Sequence, residues 1–168
     1  PDELDSLSLS FLTDSMTRQR GGTAANGAYN YALLMGKATV LGTAGHDFDK
    51  YRAHLASVGV DTSEIVEIAD EFTASFFANT DLSNAQIASF YPGAMAHAAQ
   101  LELSDLPFTP DLVVISPDDP RAMRARVREC HELNIPYVYD PSQQIVSLEP
   151  EDLYEGVNGA HMILANTY

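Results

Sequence analysis

Over residues 111–142 the chain alternates the two patterns that a parallel sheet demands. "DLVVIS" is short and nearly continuous in apolar residues, and "IPYVYD" repeats that character. Between them "PDDPRAMRARVRECHELN" reads as a helix, with Asp119 as its cap and Pro120 at the first helical position. A strand covered on both faces needs such an unbroken apolar run. A crossover helix is how consecutive strands come to lie parallel. "EPEDLYEGVN", acidic in its first turn, predicts another helix, and "HMILAN" a final strand. The expected class is therefore α/β, in which ligands bind beyond the carboxyl ends of the strands. Those ends fall at 42–45, 116–118, 140–142 and Asn166.

The front of the chain is more mixed. "SLSLSFLTDS" alternates Leu7, Leu9 and Phe11 with small polar residues, the period of a strand with one wet face. A Gly21-Gly22 turn follows, then a helix containing Tyr29, Tyr31, Ala32, Leu33 and Leu34 that stops near Gly36. "ATVLGTAG" predicts a short buried strand. "DFDKYRAHLASVG" predicts a second helix, with Asp47 as its N-cap and Gly59 as its stop. "SEIVEIADEFTASFFANTDLSNAQIASFYPG" is rich in β-branched and aromatic residues and broken by Asn-Thr-Asp and Ser-Asn, so it predicts strands joined by a hairpin.

Bulk properties narrow the partners. At 168 residues the chain is sized for one domain. A formal net charge of -15 repels nucleic acid and anionic membrane, which argues against both as partners. The single cysteine, Cys130, rules out a disulfide within the chain and makes a thiolate zinc site a poor reading. It reads as a small apolar residue on a buried helix face. The acidic start "PDELD" is unlike a signal peptide, and no apolar run reaches membrane-spanning length, so a cytoplasmic location is expected. The first residue is Pro1 and not Met, which suggests a start inside a longer chain.

Several segments, in order, resemble the ribokinase-like (PfkB-type) sugar and nucleoside kinases. They are Gly-Gly-x-x-x-Asn opening a helix, and then "VLGTAGHDFDKYRAHLASVGVDTS". "SLSLSFLTDSMTRQRGG", "NAQIASFYPGAM" and "YDPSQQ" look most like the bacterial adenosine kinase or nucleoside kinase branch. The resemblance implies a three-layer αβα fold with a mostly parallel central sheet and a small β-sheet lid. The lid strands would lie at about 5–14 and 64–91, with the remainder of 1–168 forming part of the α/β core. The activity implied is transfer of the γ-phosphoryl of ATP, with Mg²⁺, to the 5′-hydroxyl of a nucleoside, adenosine first. The family's catalytic Asp and glycine-rich anion hole belong to a carboxyl-terminal half. No Gly-Ala-Gly-Asp occurs here, so that half is expected to be absent and this segment alone inactive.

The resemblance assigns roles that compete with plainer ones. Gly21 and Gly22 would admit ribose hydroxyls close to the backbone, or merely turn the chain. Asn26 would hold a sugar diol through an amide that both donates and accepts, or satisfy local backbone. Phe11, beside Leu9 and Thr13, would cover the substrate, or pack within the lid. Gln86 and Phe90 would form a purine-facing wall, or pack a strand end. Arg20 would approach phosphate, whereas Asp14 and Arg18 read as a solvated turn. Asp140 and Asn166 would border the phosphate and magnesium region, with an Asp-Pro turn as the alternative for Asp140. In the family's Gly-x-x-Gly-x-Asp pattern, Asp47 reads as a helix cap that places the pocket loop. His46 reads as solvated, and Arg121, Arg124, Arg126 and Arg128 as a solvated helix face.

Two other functions remain open from sequence. One is a ribose- or fructose-type sugar kinase of the same family, and the other a non-catalytic module derived from a kinase. Exposed lid strands also invite edge pairing, so a homodimer is expected.

Overall fold

The computed structural model describes residue 10 and residues 12–165. The expected strand over "SLSLSFL" therefore lies mostly outside the described residues, and residues 12–14 are in no strand. The chain enters helix α1 (Thr23–Leu33) and then strand β1 (Gly42–Gly45), helix α2 (Asp49–Ala56) and strand β2 (Ile65–Ile68). β2 lies parallel to β1, with Gly42 opposite Ile65 and Gly45 opposite Ile68. Gly59 ends the α2 turn in the left-handed region at φ 90°, the role expected of it. Ala32, Ala44, Phe48, Leu55, Val60 and Ile65 form the buried cluster beneath this unit.

β3 (Ser75–Thr80) and β4 (Gln86–Tyr91) form an antiparallel hairpin. The Asp81 carboxylate closes its turn by accepting from the Ser83 and Ala85 amides, and Asn84 takes the left-handed conformation. The hairpin is narrower than the lid span expected from sequence. The stretch at 65–68 pairs with β1 in parallel and so belongs to the α/β part.

Two 3₁₀ segments, Gly93–Gln100 and Leu103–Asp105, lead to β5 (Val113–Ile115), α3 (Pro120–Leu133), β6 (Tyr137–Tyr139), α4 (Pro150–Val157) and β7 (Met162–Ile163). These three strands form a parallel sheet in the order β5-β6-β7. α3 starts as expected, with the Asp119 side chain accepting from the Arg121 amide at 2.8 Å and Pro120 in the first turn. It ends on Asn134 in the left-handed region at φ 55°. Met123, Val127 and Cys130 of α3 bury against Ile115, Tyr137, Tyr139 and Leu103. Cys130 is the apolar core residue that the sequence suggested, and burial pushes its thiol up to about 12.

Among the described residues the two parallel pieces share no strand ladder. They join through side chains and the first 3₁₀ segment. Thr43 in β1 donates to the Ala94 carbonyl at 2.7 Å, and Leu41 packs on the second core cluster. One arginine departs from the solvated face read from sequence. Arg126 is 12% exposed, lies 2.7 Å from Glu129 and donates to the Leu101 carbonyl. Arg121, Arg124 and Arg128 pair with Asp119, Asp152 and Glu155.

Candidate functional site

Helix α1 begins on Gly22, whose φ of 97° and ψ of 128° only glycine adopts without strain. Among the described residues, a Cβ at Gly21 or Gly22 would meet nothing within 4 Å. The glycines therefore face open space and are not demanded by packing. No side chain caps this end of α1, and its first turn carries no acid. The first-turn amides thus keep their donor capacity, and the positive end of the helix dipole is not neutralised by the helix's own side chains. Asn26 is exposed one turn on, the same side of the helix as Gly22. Its main-chain N–H donates to the Gly22 carbonyl at 2.9 Å, and its main-chain carbonyl accepts from the Asn30 side chain at 2.8 Å. The geometry thus brings Gly21, Gly22 and Asn26 to one helix mouth rich in donors.

Behind the glycines stands α2. The Tyr51 hydroxyl donates to the Gly21 carbonyl at 2.9 Å. Burial pushes that hydroxyl above its ordinary pKa, with the charge of Arg20 opposing the shift. Arg20 is exposed beside the turn.

Asp47 is not the cap of α2. The cap position is Phe48, with no side-chain hydrogen bond. Asp47 instead accepts from the Thr73 amide at 2.9 Å and from Arg18 at 2.7 Å. Burial pushes its carboxyl up, but the bonds from Thr73 and Arg18 outweigh that and hold it below its ordinary pKa. Arg18 is solvated as read from sequence, 80% exposed, and pairs with Asp47 from the surface. The Thr73 hydroxyl accepts in turn from the Gly45 amide at 3.0 Å. His46, exposed as read from sequence, tilts its ring against Phe72 with centroids 4.4 Å apart. The end of β1 and the start of α2 thereby hold both the glycine turn and the base of the hairpin.

On the hairpin, Gln86 opposes Thr80 and Phe90 opposes Phe76, so all four side chains share one face. Phe76 and Phe90 are half exposed there. Gln86 donates across the strands to the Thr80 hydroxyl at 3.0 Å, near the hairpin tip. It lies roughly 13 Å along the strand from Phe90, at about 3.4 Å per residue. Phe11 and Asn166 lie outside the described residues.

Asp140 ends β6, half-buried. Burial pushes its carboxyl above its ordinary pKa, opposed by the Ser142 amide. Ser142 itself sits at φ 38°. At the end of the adjacent β5, Asp118 borders a cavity of about 40 Å³ with Leu41, Leu101 and Arg126. Burial pushes Asp118 to about 6, against the hydrogen bond from the Asp119 amide. The structure thus brings two carboxylates to the ends of neighbouring strands in the second sheet. Among the described residues no group of three or more His, Cys, Asp or Glu side chains could hold a metal. No described helix is long and apolar enough to cross a membrane.

Sequence reasoning missed Tyr51, Thr73 and the partly buried Asp118. Tyr51 sits one turn after Asp47, and that spacing was the signal available.

A model of the pfkB family of carbohydrate kinases matches residues 2–168. A nucleoside kinase of Methanothermobacter thermautotrophicus is 33% identical over 103 residues, covering 60% of this chain and 33% of that protein. The structure of Burkholderia thailandensis nucleoside kinase in complex with inosine superposes with a TM-score of 0.84 at 29% identity, covering 96% of this chain and 53% of that one. The Methanocaldococcus jannaschii nucleoside kinase, an archaeal member of the ribokinase family, gives a TM-score of 0.84 at 25% identity over 94% and 52%. The chain spans a third of the length of the first relative and about half that of the other two.

Proposed function

The chain belongs to the pfkB family of carbohydrate kinases, and on that premise we propose that the protein carrying it transfers a phosphoryl group from ATP to the 5′-hydroxyl of a nucleoside. Adenosine is the first candidate acceptor. The observation that carries this reading is the uncapped, glycine-led start of α1 with Asn26 exposed beside it. Vicinal ribose hydroxyls each donate and accept, and Asn26 together with the first-turn amides offers both kinds of partner. The Phe76–Phe90 face of the hairpin suits the flat apolar surface of a base. Similarity to three nucleoside kinases, one of them bound to inosine, supports a nucleoside over a free sugar.

Asp140 fits one oxygen ligand of Mg²⁺, an ion usually held by one or two carboxylates together with phosphate oxygens and water. Bound there, Mg²⁺ would neutralise charge on the transferred phosphoryl group. By the resemblance, Asn166 would border the same region and Arg20 would approach phosphate. On this reading the residues of this chain bind and orient the acceptor.

Assays with ATP against adenosine, inosine, cytidine, ribose and fructose test this function. The expected result is a kcat/KM for a nucleoside at least about tenfold above that for either sugar, about 1.4 kcal/mol of discrimination. A free sugar preferred by that margin overturns it. The hairpin bears on assembly as well. Phe77 and Ile87 on its second face are 61% and 57% exposed, and a lone two-stranded hairpin is marginal in water. A homodimer that covers this face is the expected state, and light scattering that shows a strict monomer at micromolar concentration would remove it.

A further inference from the structure

We propose that Tyr51, supported by Asp47, is a positioning residue of the nucleoside site. It fixes the Gly21–Gly22 peptide from behind and so sets ligand affinity without touching the ligand. The inference rests on the nucleoside reading and adds a residue that the resemblance does not supply.

Two successive glycines in open space lose more conformational entropy on ordering than any other pair, and binding bears that cost unless the turn is already held. Among the described residues packing does not hold it, since a Cβ at either position would meet none of them within 4 Å. The Tyr51 hydroxyl does, at 2.9 Å from the Gly21 carbonyl.

That single bond has a directional consequence. The Gly21 C=O and the Gly22 N–H belong to one planar trans peptide, so they point in opposite directions. With Tyr51 holding the oxygen on the α2 side, the Gly22 N–H is turned towards the open side. An amide donor aimed there is what a sugar hydroxyl oxygen needs.

The ring that delivers the hydroxyl is itself fixed. Tyr51 lies on α2 with its ring centroid 5.5 Å from that of Phe48, which is buried, and 6.2 Å from that of His54. His54 stacks on Tyr29 of α1 at 4.9 Å and 15°, which ties the two helices together. Three residues before the glycines, Asp47 holds Arg18 at 2.7 Å. The same segment therefore grips the approach to the turn at residue 18 and the turn itself at residue 21.

The test is Tyr51→Phe in the full protein, which keeps the ring and removes only the hydroxyl. Calorimetry with adenosine should show affinity weakened about three- to tenfold, the usual net effect of one hydrogen bond. KM for adenosine should rise in step, while kcat, the KM for ATP and the melting temperature stay close to those of the parent.

A merely structural role would not change which hydroxyl is read. Adenosine, 2′-deoxyadenosine and 3′-deoxyadenosine are therefore compared in both proteins. The parent should discriminate against loss of one hydroxyl, and Tyr51→Phe should shrink that discrimination about threefold or more. Unchanged adenosine affinity in Tyr51→Phe, or unchanged discrimination, overturns the role of Tyr51 and leaves the nucleoside function standing. A parent protein that binds none of the three overturns both.

Discussion

Gly45→Ala is expected to destabilise the protein by about 3 kcal/mol or more, or to prevent folding. A Cβ at Gly45 would lie well inside 3.0 Å of main-chain atoms of Glu71, Phe72 and Thr73. None of the three is free to give way. The Glu71 carbonyl accepts from the His46 amide at 3.1 Å, the Phe72 carbonyl from Ala94 at 3.0 Å, and the Thr73 amide donates to Asp47 at 2.9 Å. Moving the chain far enough to admit a methyl group breaks at least one of these bonds. The matched control is Gly21→Ala, whose added methyl meets open space and which should melt within about 0.5 kcal/mol of the parent. Urea or thermal unfolding of the two variants reads the difference. A Gly45→Ala protein as stable as Gly21→Ala would show that the crossing of chains at Gly45 is loose.

Asn26→Ala should lower kcat/KM for the nucleoside by roughly thirtyfold, about 2 kcal/mol, because a ribose diol loses both a donor and an acceptor. Stability should change little or rise slightly. Asn26 is exposed within α1, where alanine is the better helix former. Asn30→Ala is the control. That residue lies one turn further along and bonds the Asn26 carbonyl at 2.8 Å, but it is remote from the glycines. Steady-state kinetics with saturating ATP separates the two variants. Equal effects would mean that α1 acts as a whole and that the Asn26 amide has no special part.

What was legible in the sequence was local. The Asp119–Pro120 start of α3 and the turn of the β3–β4 hairpin are written within four or five consecutive residues, and the structure keeps both. The apolar runs at "DLVVIS" and "IPYVYD" became paired parallel strands, but only "YVY" is buried on both faces; Val114 of β5 stays 55% exposed, so that strand is covered on one side alone. Long-range roles were not legible. Asp47 has the position and chemistry of a helix cap, yet its partners lie 26 and 29 residues away. No pattern within its own segment distinguishes a cap from a clamp. Tyr51 looks like any aromatic residue on a partly buried helix face until the carbonyl in front of it is seen. Arg126 shares the periodicity of its exposed neighbours, and only the fold of residues 101–103 over α3 buries it. Gly45 was recognised as part of a motif. The reason it must be glycine lies in a chain crossing more than twenty residues away.

That crossing has a consequence for how the molecule comes apart. The hairpin leaves the core at residues 71–73 and returns at Gly93, where a Cβ would in turn strike the Phe72 carbonyl. Entry and exit thus share one narrow waist. Everything beyond it, from Ser75 to Tyr91, can detach without breaking a rung of either parallel ladder. The hairpin is accordingly expected to behave as a separate cooperative unit, and hydrogen exchange should find its amides opening at a free energy well below that of global unfolding. The same waist makes it an interchangeable cassette. A hairpin of different length or facing chemistry can be grafted between Thr73 and Gly93 with the sheets beneath it undisturbed.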